Sequence, residues 1–156
     1  MVKRPGFTTC KTFWALSKPA YIALGSNLGD TADTLQSAFA ELQTLSRKPI
    51  KQSSLWRSTP VDCPPDSPDF INAAAVLTPL DGETPESLLE KLQALEVQFG
   101  RQPKVVMNEP RPLDLDLIAF RDEQCQGAQL TLPHPRFQER RFVLEPLAEI
   151  APEAIL

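Results

Sequence analysis

The stretch Arg111-Pro112-Leu113-Asp114-Leu115-Asp116-Leu117-Ile118 carries the residues best suited to chemistry. In an extended chain successive side chains alternate, so Asp114 and Asp116 share one face, about 6–7 Å apart along the strand. Two carboxylates that close disfavour joint ionisation. A hard divalent cation removes that penalty, and Mg²⁺ is typically held by one or two carboxylates together with substrate phosphates. Leu113, Leu115 and Leu117 occupy the opposite face, as expected of a strand that buries one side. An Asp-x-Asp pair alone also fits an ordinary water-facing strand, so its company decides.

That company is basic. Arg101, Lys104 and Arg111 flank Glu109 just before the pair, and Arg136, Arg140 and Arg141 flank Glu139 beyond His134. The chain as a whole carries a net charge of −4, from 16 basic and 20 acidic residues. Two basic loops beside a metal-type carboxylate pair therefore suggest a polyphosphate held between cations, because the planar arginine fork meets phosphate oxygens bidentately. Neither a GxxxxGK[ST] loop nor a GxGxxG turn is present, so the common backbone solutions to phosphate binding are absent. Between Trp56 and Asn72 lies a third segment with four prolines at positions 60, 64, 65 and 68. It ends in Phe70 and Asn72, which a strand places on one face. An aromatic platform beside an amide edge is suited to stacking and reading a flat heterocycle, and equally Phe70 suits core packing.

Composition bounds the rest. With 42% hydrophobic residues in 156, the chain can bury a core as a single domain. Its 16 prolines against 6 glycines limit long helices and central strands. The acidic balance argues against general nucleic-acid binding. Three cysteines without a CxxC suggest neither a disulfide framework nor a zinc site, and a single histidine excludes a His-rich metal centre. No apolar run reaches the ~18 residues of a membrane span, so a cytoplasmic location is expected; a monomer acting on small molecules is expected as well. Residues 1–18 contain no acid and four basic residues, which predicts a loosely ordered basic extension ahead of one domain over 19–156.

The elements that must position these residues follow from periodicity. Ala20–Leu24 reads as a strand stopped by Gly25-Ser26-Asn27. From Asp30, Leu35, Ala38, Phe39, Leu42 and Leu45 fall at helical spacing. Ile50–Ser58 and Phe70–Thr78 read as strands. Thr84 and Pro85 begin a second helix with Leu88, Leu92, Leu95 and Phe99 as its stripe and Gly100 as its stop. Leu113–Phe120 is the last strand. This βαββαβ order predicts an α+β, ferredoxin-like sandwich, an antiparallel sheet with helices packed on it.

Four segments, YIALGSNLGD at 21–30, STPVDCPPDSPDFINAA at 58–74, PRPLDLDLIAF at 110–120 and LTLPHPRFQERRFVLEPLAEIAPE at 130–153, resemble the hydroxymethyl-dihydropterin pyrophosphokinase family in order and spacing. The resemblance covers about residues 20–152. It implies transfer of the β,γ-diphosphate of ATP to the hydroxymethyl group of a reduced pterin, with release of AMP, in folate biosynthesis. It implies two Mg²⁺ ions on Asp114 and Asp116, and catalytic roles for Arg101, Arg111 and Arg140 beside them. The pterin falls to Phe70, Phe142 and Asn72, with Gly25, Thr59, Pro60 and Asp62 around it. ATP falls to Gln93, Glu96, Arg101, Arg111, Leu117, Thr131, His134 and Arg140. Met107 and Glu109 stand where the family carries a basic residue and a glycine. Pro103, Asn108 and Gln129 depart from other family residues. Those departures leave a pterin- or nucleotide-binding domain without turnover as the alternative.

Overall fold

The computed structural model describes residues 18–59, 64–101 and 112–152. Strand β1 (Ala20–Ser26) is followed by helix α1 (Thr31–Gln43), two short strands β2 (Lys51–Gln52) and β3 (Trp56–Ser58), and strand β4 (Phe70–Leu77). Helix α2 (Pro85–Gln98) and strand β5 (Asp114–Phe120) come next, then a small hairpin, β6 (Cys125–Gln126) with β7 (Thr131–Leu132). A 3₁₀ turn over Phe137–Glu139 leads into helix α3 (Arg141–Ile150).

The main sheet is antiparallel, with β1 between β4 and β5, and with β2 and β3 both on the outer side of β4. This is the expected ferredoxin-like arrangement, with two departures. The single strand expected over Ile50–Ser58 is broken. Ser53 pairs with Ala74 through its own N–H and through its hydroxyl, which accepts the Ala74 N–H at 2.8 Å, and the ladder resumes only at Trp56. The second departure is α3, which has no counterpart in the expected order. It packs on the sheet face opposite α1 and α2 and contains a buried proline, Pro146.

The capping chemistry explains why α2 was legible. The Thr84 hydroxyl accepts from Ser87 N, and the Ser87 hydroxyl accepts from Thr84 N, closing a capping box. Gly100 follows the helix at φ +101°, a left-handed conformation that costs other residues more. Asp30 caps α1 by accepting from Asp33 N at 3.3 Å.

Two apolar clusters lie on opposite sides of the sheet. The larger joins Leu35, Ala38, Phe39 and Leu42 of α1 and Leu88, Leu92 and Leu95 of α2 to Ile22, Leu24, Ala73, Ala75, Leu115 and Leu117. The smaller joins Phe137, Val143 and Leu147 to Ala23, Ala74 and Ile118. A bulge in β5 opposite Tyr21 and Ile22 leaves Ile118 as the extra residue, and its carbonyl accepts the His134 N–H at 2.8 Å. The chain after the β6–β7 hairpin is thereby pinned to the strand that carries Asp114 and Asp116.

Candidate functional site

A cleft of about 880 Å³ opens on the face that α3 only partly covers. Its floor is β1, at Ala23, Leu24 and Gly25. One wall is Trp56–Thr59 with Phe70 and Asn72, and the other is His134, Arg136 and the start of α3 from Arg140 to Val143. Asp114, Asp116 and Arg101 line it as well. Side-chain alternation explains the arrangement: the strand positions that send Leu24, Ala73 and Leu115 into the larger core send Gly25, Asn72 and Asp114 into the cleft.

Phe70 and Asn72 line the cleft together, as their spacing predicts. Asn72 is 3% exposed, and its Nδ2 donates to the Ser58 hydroxyl at 2.7 Å and to the Trp56 carbonyl at 3.4 Å. With the amide nitrogen engaged, Oδ1 is left as the acceptor, 3.5 Å from where a Cβ on Gly25 would sit. The same Cβ would lie 3.4 Å from the Phe70 ring. Gly25 therefore keeps the floor flat where an aromatic ring and an amide converge. Phe142 faces the cleft from the first turn of α3, and Arg140 stands over its ring, 5.6 Å from the centroid. Asn27, itself buried, donates to the Pro68 carbonyl at 3.3 Å and ties the proline-rich segment to the end of β1.

Charge is concentrated around β5. Arg101 Nη1 bridges Glu96 Oε2 at 2.9 Å and Asp114 Oδ1 at 3.1 Å. Glu96 Oε2 also accepts the Leu115 N–H at 2.7 Å. Burial raises the Glu96 pKa to about 7, against the pull of the Leu115 N–H and of Arg101 in the other direction. Burial opposes the Arg101 charge too, but Glu96 and Asp114 outweigh it and raise its pKa further. His134 is pushed below its ordinary value by burial and by the Arg140 and Arg136 cations, so its imidazole is neutral at pH 7. Its Nδ1 accepts from Arg136 N at 3.2 Å, which leaves the neutral ring's proton on Nε2.

The other arginines of the cleft are mostly engaged. Arg141 pairs with Glu145, Arg136 lies 3.7 Å from Glu139, and Arg57 lies 4.0 Å from Asp69. Among the described residues no carboxylate engages Arg140. It is the cation best placed to meet negative charge on a ligand.

The donor set fits a hard cation. Asp114 and Asp116 face the cleft, and among the described residues no cysteine lines it and no group of three or more His, Cys, Asp or Glu could hold a metal ion. Two carboxylates at the mouth of a polar cleft suit an ion that completes its shell with water and phosphate oxygens.

Several expected residues lie elsewhere. Leu117 is 3% exposed with its side chain in the larger core, because strand alternation turns it away from Asp116, so it offers the cleft no side chain. Gln93 is exposed on α2, and Thr131 lies in β7; neither lines the cleft. Glu96 does not line the cleft but lies behind it, against Arg101, Asp114 and the Leu115 N–H. Thr59 lines the cleft, whereas Pro60, Asp62 and Arg111 lie outside the described residues, as do Pro103, Met107, Asn108, Glu109 and residues 1–17. Lys18, the one described residue of the expected extension over residues 1–18, pairs with Asp122. Ser58 and Trp56 enter the site as the acceptors that hold the Asn72 amide. Their sequence signal is that Trp56 and Ser58 alternate onto one face of the strand expected over Ile50–Ser58.

Residues 21–152 match the family model of 7,8-dihydro-6-hydroxymethylpterin-pyrophosphokinase. Proteins named 2-amino-4-hydroxy-6-hydroxymethyldihydropteridine pyrophosphokinase are similar over nearly the whole match. The one from Synechocystis is 43% identical over 134 residues, 86% of this chain and 67% of the relative. The Bacillus subtilis protein is 43% identical over 133 residues, 84% and 77% of the two chains, and the Haemophilus influenzae protein 40% over 139, 88% and 84%. The chain belongs to the 7,8-dihydro-6-hydroxymethylpterin-pyrophosphokinase family and is a pyrophosphate-transferring enzyme of folate biosynthesis.

Proposed function

We propose that the cleft receives 6-hydroxymethyl-7,8-dihydropterin between Phe70 and Phe142 and ATP along Arg101, Asp114, Asp116, His134 and Arg140. The hydroxymethyl oxygen attacks the β-phosphorus of ATP, the bond from that phosphorus to the α,β-bridging oxygen breaks, and AMP leaves as the hydroxyl proton is lost. The observation that carries this reading is the convergence, in one cleft, of an aromatic–amide pair with a carboxylate pair and an arginine that no carboxylate among the described residues engages.

Each residue has a task set by its surroundings. Phe70 and Phe142 stack the ring, and Asn72 Oδ1, fixed by Ser58 and Trp56, accepts from the pterin edge. Asp114 and Asp116 would hold two Mg²⁺ ions, which neutralise the polyphosphate when bound. Arg101 carries its charge into the cleft because Glu96 and Asp114 anchor it. Arg140 meets charge that develops on the transferring group, and neutral His134 donates from Nε2 to a phosphate oxygen. Transfer of this kind depends on positioning and charge neutralisation rather than on a protein nucleophile. Pro60, Asp62 and Arg111 complete the pterin and phosphate contacts in this reading. The enzyme works as a cytoplasmic monomer on these two small molecules. No described helix is long and apolar enough to cross a membrane.

Incubation with ATP, Mg²⁺ and the dihydropterin tests the reading. AMP must appear in proportion to the pterin added. Absence of AMP, or ADP in its place, contradicts it.

A further inference from the structure

Glu149 is not used by the transfer, yet it is heavily engaged. It lies near the end of α3, exposed to solvent, seven residues beyond Phe142 and so on the same side of the helix. Its Oε1 accepts from the Ser54 hydroxyl at 2.7 Å, from the Trp56 indole Nε1 at 3.0 Å and from Ser54 N at 3.2 Å, and its Oε2 accepts from Ser54 N at 3.0 Å. Two of these donors belong to Ser54, in the break between β2 and β3, and the third to Trp56, the first residue of β3. In the break Ser53 takes up the pairing with Ala74, and Ser54 N–H turns outward from the sheet edge. The Ser54 and Trp56 donors also hold the Glu149 carboxyl below its ordinary pKa, so it is charged throughout the neutral range.

What Glu149 holds is one wall of the cleft. Trp56 lies directly opposite Asn72 in the sheet, its carbonyl accepts the Asn72 amide, and it lines the cleft beside Ser58. The helix that carries Glu149 also carries Phe142, on the opposite wall. One carboxylate therefore joins the two walls that face each other across the aromatic end of the cleft.

We infer that Glu149 is a positioning residue for the pterin: by holding Ser54 and Trp56 from α3, it fixes the spacing between Phe142 and the Trp56–Ser58 strand. The inference rests on the pterin placement proposed above.

The test compares full-length wild type, Glu149→Ala and Glu149→Gln, all in a Trp14→Phe background that leaves Trp56 as the single indole. Glutamine keeps the Oε1 that receives all three donors. Glu149→Ala is expected to raise KM for the pterin about tenfold while KM for ATP stays within about twofold, since only the pterin wall loses its hydrogen bonds. Glu149→Gln is expected to stay within about threefold of wild type for both substrates. In the unliganded protein, Trp56 emission shifts to the red in the alanine variant and not in the glutamine variant. An unchanged pterin KM in Glu149→Ala, an equal rise for both substrates, or a glutamine variant as impaired as the alanine one would overturn the inference. Should wild type release no AMP, the substrate assignment fails instead. The Trp56 emission then decides the Glu149 hold by itself, and an unchanged spectrum in Glu149→Ala rejects it.

Discussion

The two faces of one sheet are built from different residues and do different work. Towards α1 and α2 the strands present Ile22, Leu24, Leu77, Leu115 and Phe120, all buried, and the helices close over them with leucines. Towards α3 the same strands present Ala23, Gly25, Asn72, Asp114 and Asp116. Small residues leave room and polar ones fill part of it, so a single short helix covers only part of that face and a cleft remains. The larger face supplies apolar burial, at roughly 25 cal/mol per Å². The other gives up burial for charge and shape.

Breaking the carboxylate pair gives the largest contrast. Asp114→Ala or Asp116→Ala should lower turnover by about 10²–10³-fold, the scale seen when a preorganised electrostatic contact is removed. Both side chains are half-buried in the cleft wall and outside the apolar clusters, so the melting temperature should hardly move. Leu42→Ala or Leu92→Ala should do the reverse. Each is fully buried, and its removal should cost about 2–5 kcal/mol in denaturant unfolding while turnover of the folded fraction is kept.

A smaller effect should follow at the floor of the cleft. In Gly25→Ala the added methyl meets Phe70 and Asn72 at 3.4 and 3.5 Å, ordinary van der Waals contacts, so the fold should hold. The methyl occupies the surface on which the pterin lies, and KM for the pterin should rise ~10-fold or more, with ATP little affected.

The smallest effect concerns pH. Glu96 titrates at about 7 in the folded protein against 4.5 as its ordinary value. Between those values the folded state holds the extra proton. Its contribution is fully present below pH 4.5 and is lost as pH rises through about 7. Unfolding measured without divalent cations should show this decline in wild type and lose it in Glu96→Gln. His134 acts in the opposite sense: its pKa is lowered on folding, so acidification through 6.5 costs stability in both proteins.

Legibility in the sequence follows the same division. The larger face was readable because apolar periodicity and caps are local signals. Thr84, Pro85 and Gly100 marked α2 directly, and the leucines of α1 and α2 fell at helical spacing. On the other face, alternation alone put Asp114 and Asp116 on one side of a strand, and likewise Phe70 and Asn72. Helix α3 was hidden by Pro146, a residue that normally breaks a helix interior and here lies buried in the sixth position of a short one. The break at Ser53–Leu55 was hidden because it depends on a hydroxyl pairing with Ala74, 21 residues away. Glu149 gave no local sign at all, since its donors lie 93 and 95 residues earlier in the chain. For Leu117 the motif match names a residue without saying which way its side chain points, and strand alternation turns that side chain into the larger core.

The central claim is that both substrates meet on the α3 side of the sheet. Amide ¹H–¹⁵N spectra recorded with the dihydropterin, Mg²⁺ and the non-transferable analogue α,β-methylene ATP test it most directly. Shifts should cluster at Trp56–Ser58, Phe70–Asn72, Asp114–Asp116 and His134–Phe142, and leave the exposed faces of α1 and α2 unmoved. Shifts centred on α1 and α2, with those four segments unchanged, would contradict it.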